Sequence, residues 1–463
     1  MKFPLLGDHD ILVSLISLPL PLSRARESGR QKHMAKRFFL GAATLAIAVL
    51  WLIARPIDAG EGAKPEVRLV QFQVPQLPGL GGAAVDWRQL DAFLTFIVKR
   101  FGQEIPADLR ESLAEAFLDS RYELTNFVEL ASAGQNPVPQ MLLDGWSRLS
   151  PIMKQALPAL PQEAADRYAN FIGVLDQLAA LGQGSQLALL QLSPDALREM
   201  ARILEPAVSG DPIGYTLEVD NALRELLGFG APIAAPSPGT RQSRLPGFRS
   251  FAKMRQASVP PLWFGVAMAS EPDIKKLNEW VPEDGDLEAY LRAVRSLLAA
   301  LSDKLAAKSK LAEEHEPLTR QIILAAGWQE SCWRQFIKKG KLLTPLASAS
   351  GALGLMQVSP HTWRNLYDLK QLGADIEYNG NAGAEILVYY LTRFALKKNE
   401  DKQPGGDLAR ATYSAYNGGP GQLSRYRAAK QNPASKKVDA SFWEKFQAVR
   451  SGREMEVRSC YQK

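Results

Sequence analysis

Leu318, Ile322, Ala326 and Glu330 fall in one row at helical spacing, so an apolar stripe ends in an acid. A carboxyl group held against apolar side chains loses hydration for its charged form. Its pKa rises, and it can stay protonated near neutral pH. A protonated carboxylic acid at a helix end can donate to the leaving oxygen of a glycoside. The same residue could equally be a solvated C-terminal residue of its helix, and spacing alone supports both readings. Trp328 and Trp333 bracket it, and aromatic rings are common floors for sugar rings.

A two-carboxylate glycosidase needs a second acid about 5–9.5 Å from the first. From Ser331 to Tyr367 there is no Asp or Glu, and Asp368 is the first. Asp375, Glu377 or Glu385 could fold back, but the simplest reading is a single-acid mechanism. The segment "SASGALGLMQVSP", 348–360, marks a loop where backbone approaches something closely, through Gly351 and Gly354. Gln357 carries an amide that both donates and accepts, suited to hydroxyls or an N-acetyl group. In "AYNGGPG", 415–421, Tyr416 and Asn417 precede a glycine-rich turn, compatible with a site and equally with plain turn chemistry. His9, His33, His315 and His361 are scattered without ligand spacing, so no metal site and no cofactor are expected.

These residues need a framework, and most of it reads as helix. From about Val85 to Gly230, apolar residues recur at three and four, as in "DWRQLDAFLTFIVKRFG" and "SPDALREMARILEPAV". Ser193-Pro194 supplies a helix start, serine as N-cap and proline at the first helical position. This region offers no catalytic constellation. The stretch "APIAAPSPGTRQSRLPGFRS", 231–250, has the composition of a linker. Helical signal resumes at "DLEAYLRAVRSLLAALSDKLAAKSKLAEEH" and continues in "NAGAEILVYYLTRFALKK" and "SFWEKFQAVRSG", with one irregular loop from about Gly340 to Gly354.

At the N-terminus, "KRFFLGAATLAIAVLWLIAR", 36–55, sets two cations before an apolar run of seventeen residues, Phe38–Ala54. That is the pattern of a secretory leader, with "IDAGEG" a small-residue cleavage site after Ala59, and it is also just long enough for an anchor. Export to the periplasm or cell envelope is expected, with inner-membrane association through 38–54 if the leader is retained. Residues 64–82, rich in Pro and Gly, read as a tether. In an oxidising compartment the two cysteines, Cys332 and Cys460, are candidates for one bridge, which would staple the C-terminal tail beside the helix carrying the acid. Two unpaired buried thiols are the alternative.

Residues 330–463 hold 21 Lys/Arg against 12 Asp/Glu, a net charge of +9, against +6 for the whole chain. A basic C-terminal third fits a polyanionic partner such as nucleic acid, anionic lipid or peptidoglycan, or is a solvated basic surface. No zinc-finger spacing or aromatic-basic ribonucleoprotein motif occurs, so no nucleic-acid partner is expected.

Taken in order, Glu330-Ser331, "GALGLMQ" at 351–357, "NAGAEIL" at 381–387 and "AYNGGPG" at 415–421 resemble the soluble lytic transglycosylase family over roughly residues 315–430. The resemblance implies a mainly α, lysozyme-like domain, and the apolar periodicity upstream sets an all-α helical domain before it. The expected layout is a leader or anchor over 1–62, a helical domain over 63–230, a linker over 231–280 and the catalytic domain over 281–463. It implies cleavage of the bond between N-acetylmuramic acid and N-acetylglucosamine in peptidoglycan, leaving 1,6-anhydro ends. In that family one glutamate is first acid and then base, and the nucleophile is the sugar's own C6 hydroxyl. Carried over by position, Glu330 is that glutamate and Tyr416 the tyrosine that hydrogen-bonds and orients it. Ser348 matches the serine before the glycine loop, and Gln357 a substrate contact. Ser331, Gly354, Met356 and Asn417 support the same cleft. The chain departs from the family in the extra residues "RQFIKKGKLLTPLAS" before the loop and in Ser359, where methionine is common. Cys332 and Cys460 fit a disulfide-closed variant. A water-using muramidase or a non-catalytic wall-binding scaffold are the alternatives.

Overall fold

Asp86 starts the first helix, α1 (Trp87–Glu104), through a capping box: its carboxylate accepts from Arg88 N, and its own N–H donates to Gln89 Oε1 at 3.1 Å. Such local signals recur along the N-terminal half. The computed structural model describes residues 86–130, 138–181, 193–234, 273–309 and 311–462. The leader or anchor expected over 1–62, the tether at 64–82 and the segment 235–272 of the expected linker lie outside the described residues. Among the described residues no helix is long and apolar enough to cross a membrane.

After α1 come α2 (Ala107–Leu130), α3 (Val138–Ala156), α4 (Gln162–Leu181), α5 (Pro194–Leu204) and α6 (Asn221–Leu227). Ser193 caps α5 as its sequence indicates, its Oγ accepting from Ala196 N at 3.1 Å with Pro194 at the first position. The apolar faces of these helices close on Phe93, Ile97, Phe101, Phe117, Tyr168 and Phe171, all buried. Phe101 meets Tyr168 edge-on at 5.0 Å between centroids.

The second half contains α7 (Ile274–Leu277), α8 (Leu287–Ser309) and α9 (Glu316–Ser331), which carries Glu330. Two short strands follow, β1 (Phe336–Lys339) and β2 (Leu342–Pro345), antiparallel with Phe336 opposite Pro345 and Lys339 opposite Leu342. This hairpin occupies part of the stretch read from sequence as irregular. Gly340, at φ +61°, makes the tight reversal between the strands. Then come α10 (Pro360–Trp363), α11 (Leu369–Ala374), α12 (Ile376–Tyr390), α13 (Leu408–Gly418), α14 (Pro433–Arg450) and a 3₁₀ turn, Glu454–Tyr461. Helix α9 packs between α8 and α14, and α12 lies across α8.

The described residues on both sides of the 231–280 segment belong to one compact unit, within Pro65–Lys463. Part of the segment itself is packed: Asn278 donates to Asp375 Oδ2 at 2.8 Å and accepts from Ile376 N at 2.7 Å, at the start of α12. Two buried ionic seams join the halves. In one, Asp91 of α1 lies between Arg121 of α2 and Arg364, at 3.1 and 2.5 Å, and Arg121 also donates to the carbonyls of Thr362 and Arg364. In the other, Arg224 of α6 binds Glu385 of α12 at 2.9 Å, and the same carboxylate accepts from Tyr367 and Lys308.

The bridge expected of the two cysteines is formed: Cys332, the residue that ends α9, is joined to Cys460 in the C-terminal turn. Polar contacts reinforce it. Tyr461 Oη donates to Cys332 O at 2.8 Å, and Arg334 donates to Cys460 O while lying over the Tyr461 ring.

Candidate active site

Glu330 is the penultimate residue of α9, directly after a buried stripe that includes Ile322 and Ala326. Cys332 ends the helix in the left-handed region, φ +53°, and its N–H closes onto Trp328 O. The acid is therefore held half-buried at the helix tip. Burial raises its pKa to about 7, against the lowering influence of a hydrogen bond from Tyr413 and the nearby charges of Arg425 and Lys445. Tyr413 Oη donates to Glu330 Oε1 at 2.8 Å. The Tyr413 ring is fixed in turn, stacked on Phe442 at 4.0 Å between centroids.

The 351–357 loop is tied to the same helix end. Ser331 Oγ donates to Leu355 O at 2.6 Å and accepts from Arg334 N at 3.0 Å. Beneath the loop, two buried amides replace a backbone ladder. Gln335 Oε1 accepts from Leu355 N, and Asn379 Oδ1 accepts from Met356 N, each at 2.8 Å. Gly354, at φ +72°, lies against them so closely that a Cβ would come within 2.3 Å of Gln335 Oε1. The glycine of "NAGAEIL" has a similar cause: a Cβ on Gly383 would meet Met356 Cβ at 2.3 Å. Met356 itself is fully buried, so it shapes the loop from below.

Two expectations are corrected. Tyr416 does not make the hydrogen bond to Glu330. Its hydroxyl donates instead to Met356 O at 2.5 Å, and Tyr413 holds the acid. The two phenols are three residues apart on α13, nearly one turn, so one reaches the tip of α9 and the other the loop. Trp328 and Trp333 are also not open aromatic floors: both are buried, and Trp333 donates its indole N–H to Leu324 O.

A groove of about 180 Å³ runs past the acid. Glu330, Ser348, Gln357, Tyr416 and Asn417 all line it, as the sequence order leads one to expect. Ser348 Oγ is 2.8 Å from Ser350 Oγ and accepts from Ala352 N. Gln357 donates to Gly354 O at 2.8 Å, and Asn417 accepts from Arg425 at 2.9 Å. Ser359 is both a groove residue and the cap of α10. Part of the lining comes from α2, through Tyr122, Thr125 and Asn126, and Trp363 also contributes. Among the described residues, Glu330 is the one carboxylate lining this groove. Asp375 is used as the cap of α12 and Glu385 in the Arg224 seam. A larger cavity, about 1100 Å³, lies between α8 and the C-terminal turn and does not reach the acid.

Sequence reading missed Tyr413, Gln335, Asn379 and the α2 residues. Tyr413 carried a signal, since it lies three residues before the tyrosine already singled out. Asn379 precedes the "NAGAEIL" motif and Gln335 lies among the residues taken as extra, so neither falls inside a motif.

Residues 308–438 match the transglycosylase SLT domain, a span that contains the glutamate, the glycine loop, the Gly383 helix and both tyrosines, and leaves α1–α6 outside. No curated relative and no solved structure matches the chain. The acid, the loop and both tyrosines lie inside the matched span, and residues 308–438 carry a lysozyme-like, mainly α transglycosylase SLT domain.

Proposed function

We propose that the protein is an exported lytic transglycosylase that cleaves the β-1,4 bond between N-acetylmuramic acid and N-acetylglucosamine, with Glu330 acting first as acid and then as base. The observation that carries this reading is one groove carboxylate, half-buried, with its pKa raised to about 7. Glu330 in its protonated form gives its proton to the glycosidic oxygen as the bond to C1 of the muramic sugar breaks. The carboxylate then takes the proton of that sugar's C6 hydroxyl as its oxygen bonds to C1. No water is consumed, the proton count on Glu330 is restored, and the product is a 1,6-anhydro end. Tyr413 keeps the carboxyl oriented through both transfers.

That no second acid lines the groove among the described residues favours this reading over a water-using muramidase, which needs a carboxylate to activate water. Export is supported by the disulfide, which suits an oxidising compartment, and by the leader pattern at 36–55. The test is mass spectrometry of peptidoglycan digested by the full chain. Anhydro ends, lighter by one water than reducing ends, are expected. Reducing ends would replace this proposal with hydrolysis, and no cleavage at all would favour a wall-binding scaffold.

A further inference from the structure

Helix α2 lies outside the span that matches the transglycosylase family, yet it is built into the groove. It grips the "AYNGGPG" turn at two points. Tyr122 Oη donates to Tyr416 O at 2.8 Å, and Asp119 Oδ1 accepts from Gly421 N at 2.8 Å. The approach is close: a Cβ on Gly421 would come within 2.8 Å of the Asp119 carboxylate. Arg121 of the same helix is locked into the Asp91 seam, so α2 cannot shift without breaking a buried ion pair.

The gripping residues and the groove residues share one face of α2, and Tyr122 belongs to both sets. Tyr122 and Asn126 are one helical turn apart, in one row, and both line the groove. Thr125, between them, is already engaged with Thr362 Oγ1 and Arg121 O and is buried. Asn126 is exposed, and its amide offers both a donor and an acceptor. Tyr122 is half-buried and lines the groove, its hydroxyl donating to Tyr416 O and its ring edge-on to Trp363. A ring presented without its hydroxyl, one turn from an amide, suits the apolar face and the polar edge of one saccharide unit.

We infer that Tyr122 and Asn126 form a saccharide-binding wall supplied by the N-terminal helices, so that glycan recognition at Glu330 depends on a part of the chain outside the transglycosylase domain. The saccharide class rests on the function proposed above. Tyr122 is also a positioning residue through Tyr416. Asn126 acts by contact with the glycan alone, which makes it the cleaner probe.

The test uses the full chain with Asn126→Trp and Asn126→Ala, and with Arg110→Trp as a bulky control on an exposed part of α2. Digestion of peptidoglycan is followed as KM and kcat. Binding of a peptidoglycan oligosaccharide is measured separately by calorimetry in the Glu330→Gln background. Asn126→Trp should weaken binding and raise KM about tenfold, a change of about 1.4 kcal/mol, with kcat within about twofold and an unchanged melting temperature. Asn126→Ala should give a smaller change in the same direction, and Arg110→Trp none. Binding and KM that ignore Asn126→Trp would overturn the inference. A loss of oligosaccharide binding confined to the Asn126 variants would support it even if the wild-type chain released reducing rather than anhydro ends, so the two proposals fail separately.

Discussion

Asp91 in the seam and Glu330 at the groove are both acids withdrawn from water, and their pKa values move in opposite directions. Burial pushes the Asp91 carboxyl up, but the guanidiniums of Arg121 and Arg364 in direct contact more than reverse it and hold it below 3.8. Glu330 has only a phenol in contact, with Arg425 and Lys445 acting from further off, so burial prevails and its pKa stands near 7. The difference lies in the partner rather than in depth. An acid paired with two cations is fixed as an anion and serves to join elements. An acid left with a neutral donor keeps its proton available near neutral pH.

The largest effect expected from this contrast is on activity. Glu330→Gln should remove cleavage by about 10²-fold to 10⁴-fold, the usual range for a general acid–base group, while the chain still folds and still binds glycan. Anhydro-product release by the purified variant, measured beside its circular dichroism, checks this. Retained turnover would mean that the acid is elsewhere.

The counterpart in the seam acts on stability. Asp91→Ala leaves Arg121 and Arg364 buried without a counter-charge, and about 3–5 kcal/mol of stability should be lost. Denaturant unfolding of the variant reads this directly. A loss below about 1 kcal/mol, the range of a surface pair, would show that water or another group reaches the arginines.

The two acids also give stability opposite pH dependences. The folded pKa of Asp91 is lowered, so its contribution is present above about pH 3.8 and is lost as pH falls through the folded value. The folded pKa of Glu330 is raised from 4.5 to about 7, so the native state binds the extra proton across that window and stability falls as pH rises through it. Glu330→Gln removes this liability. The melting temperature of the variant should gain on that of the wild type between pH 4.5 and pH 7.5. An offset constant with pH would mean that the carboxyl is not desolvated in the fold.

How much of this was legible in the sequence follows the same division. The position of Glu330 could be read because helical period alone places Ile322 and Ala326 on its row, and both are buried. The loop could be read because Gly354 answers a local need, a positive φ with no space for a side chain. The hairpin was hidden because "KKGKL" lacks the Asn-Gly or Asp-Gly pair that marks a tight reversal, although Gly340 supplies the required φ. The seam was not legible. Arg121, Arg224 and Arg364 have no periodic signature that separates a buried arginine from a solvated one, and their partners lie far away in sequence. The reach of α2 to "AYNGGPG" was hidden for the same reason, since Asp119 and Gly421 are 302 residues apart. Choosing between Tyr413 and Tyr416 required the rotation of α13 relative to α9, which depends on packing against Phe442 rather than on any motif.

That choice gives the smallest predicted effect. Tyr413 Oη donates to the ionised form of Glu330 and so lowers its pKa against burial. Tyr413→Phe removes the donor, and the acid should hold its proton to higher pH. The alkaline limb of kcat/KM should move up by about one to two units, since a hydrogen bond to a charged group is worth about 1.5–3 kcal/mol and one pKa unit is 1.36 kcal/mol. Tyr416→Phe leaves that contact intact and releases the carbonyl of Met356, so it should raise KM and leave the limb where it is. Both variants keep the ring, so the stack on Phe442 and the groove wall survive, and the pH profile reports the hydroxyl alone. A limb moved by Tyr416→Phe and not by Tyr413→Phe would assign the steering of Glu330 to Tyr416 instead, and with it a rotation of α13 in the working enzyme.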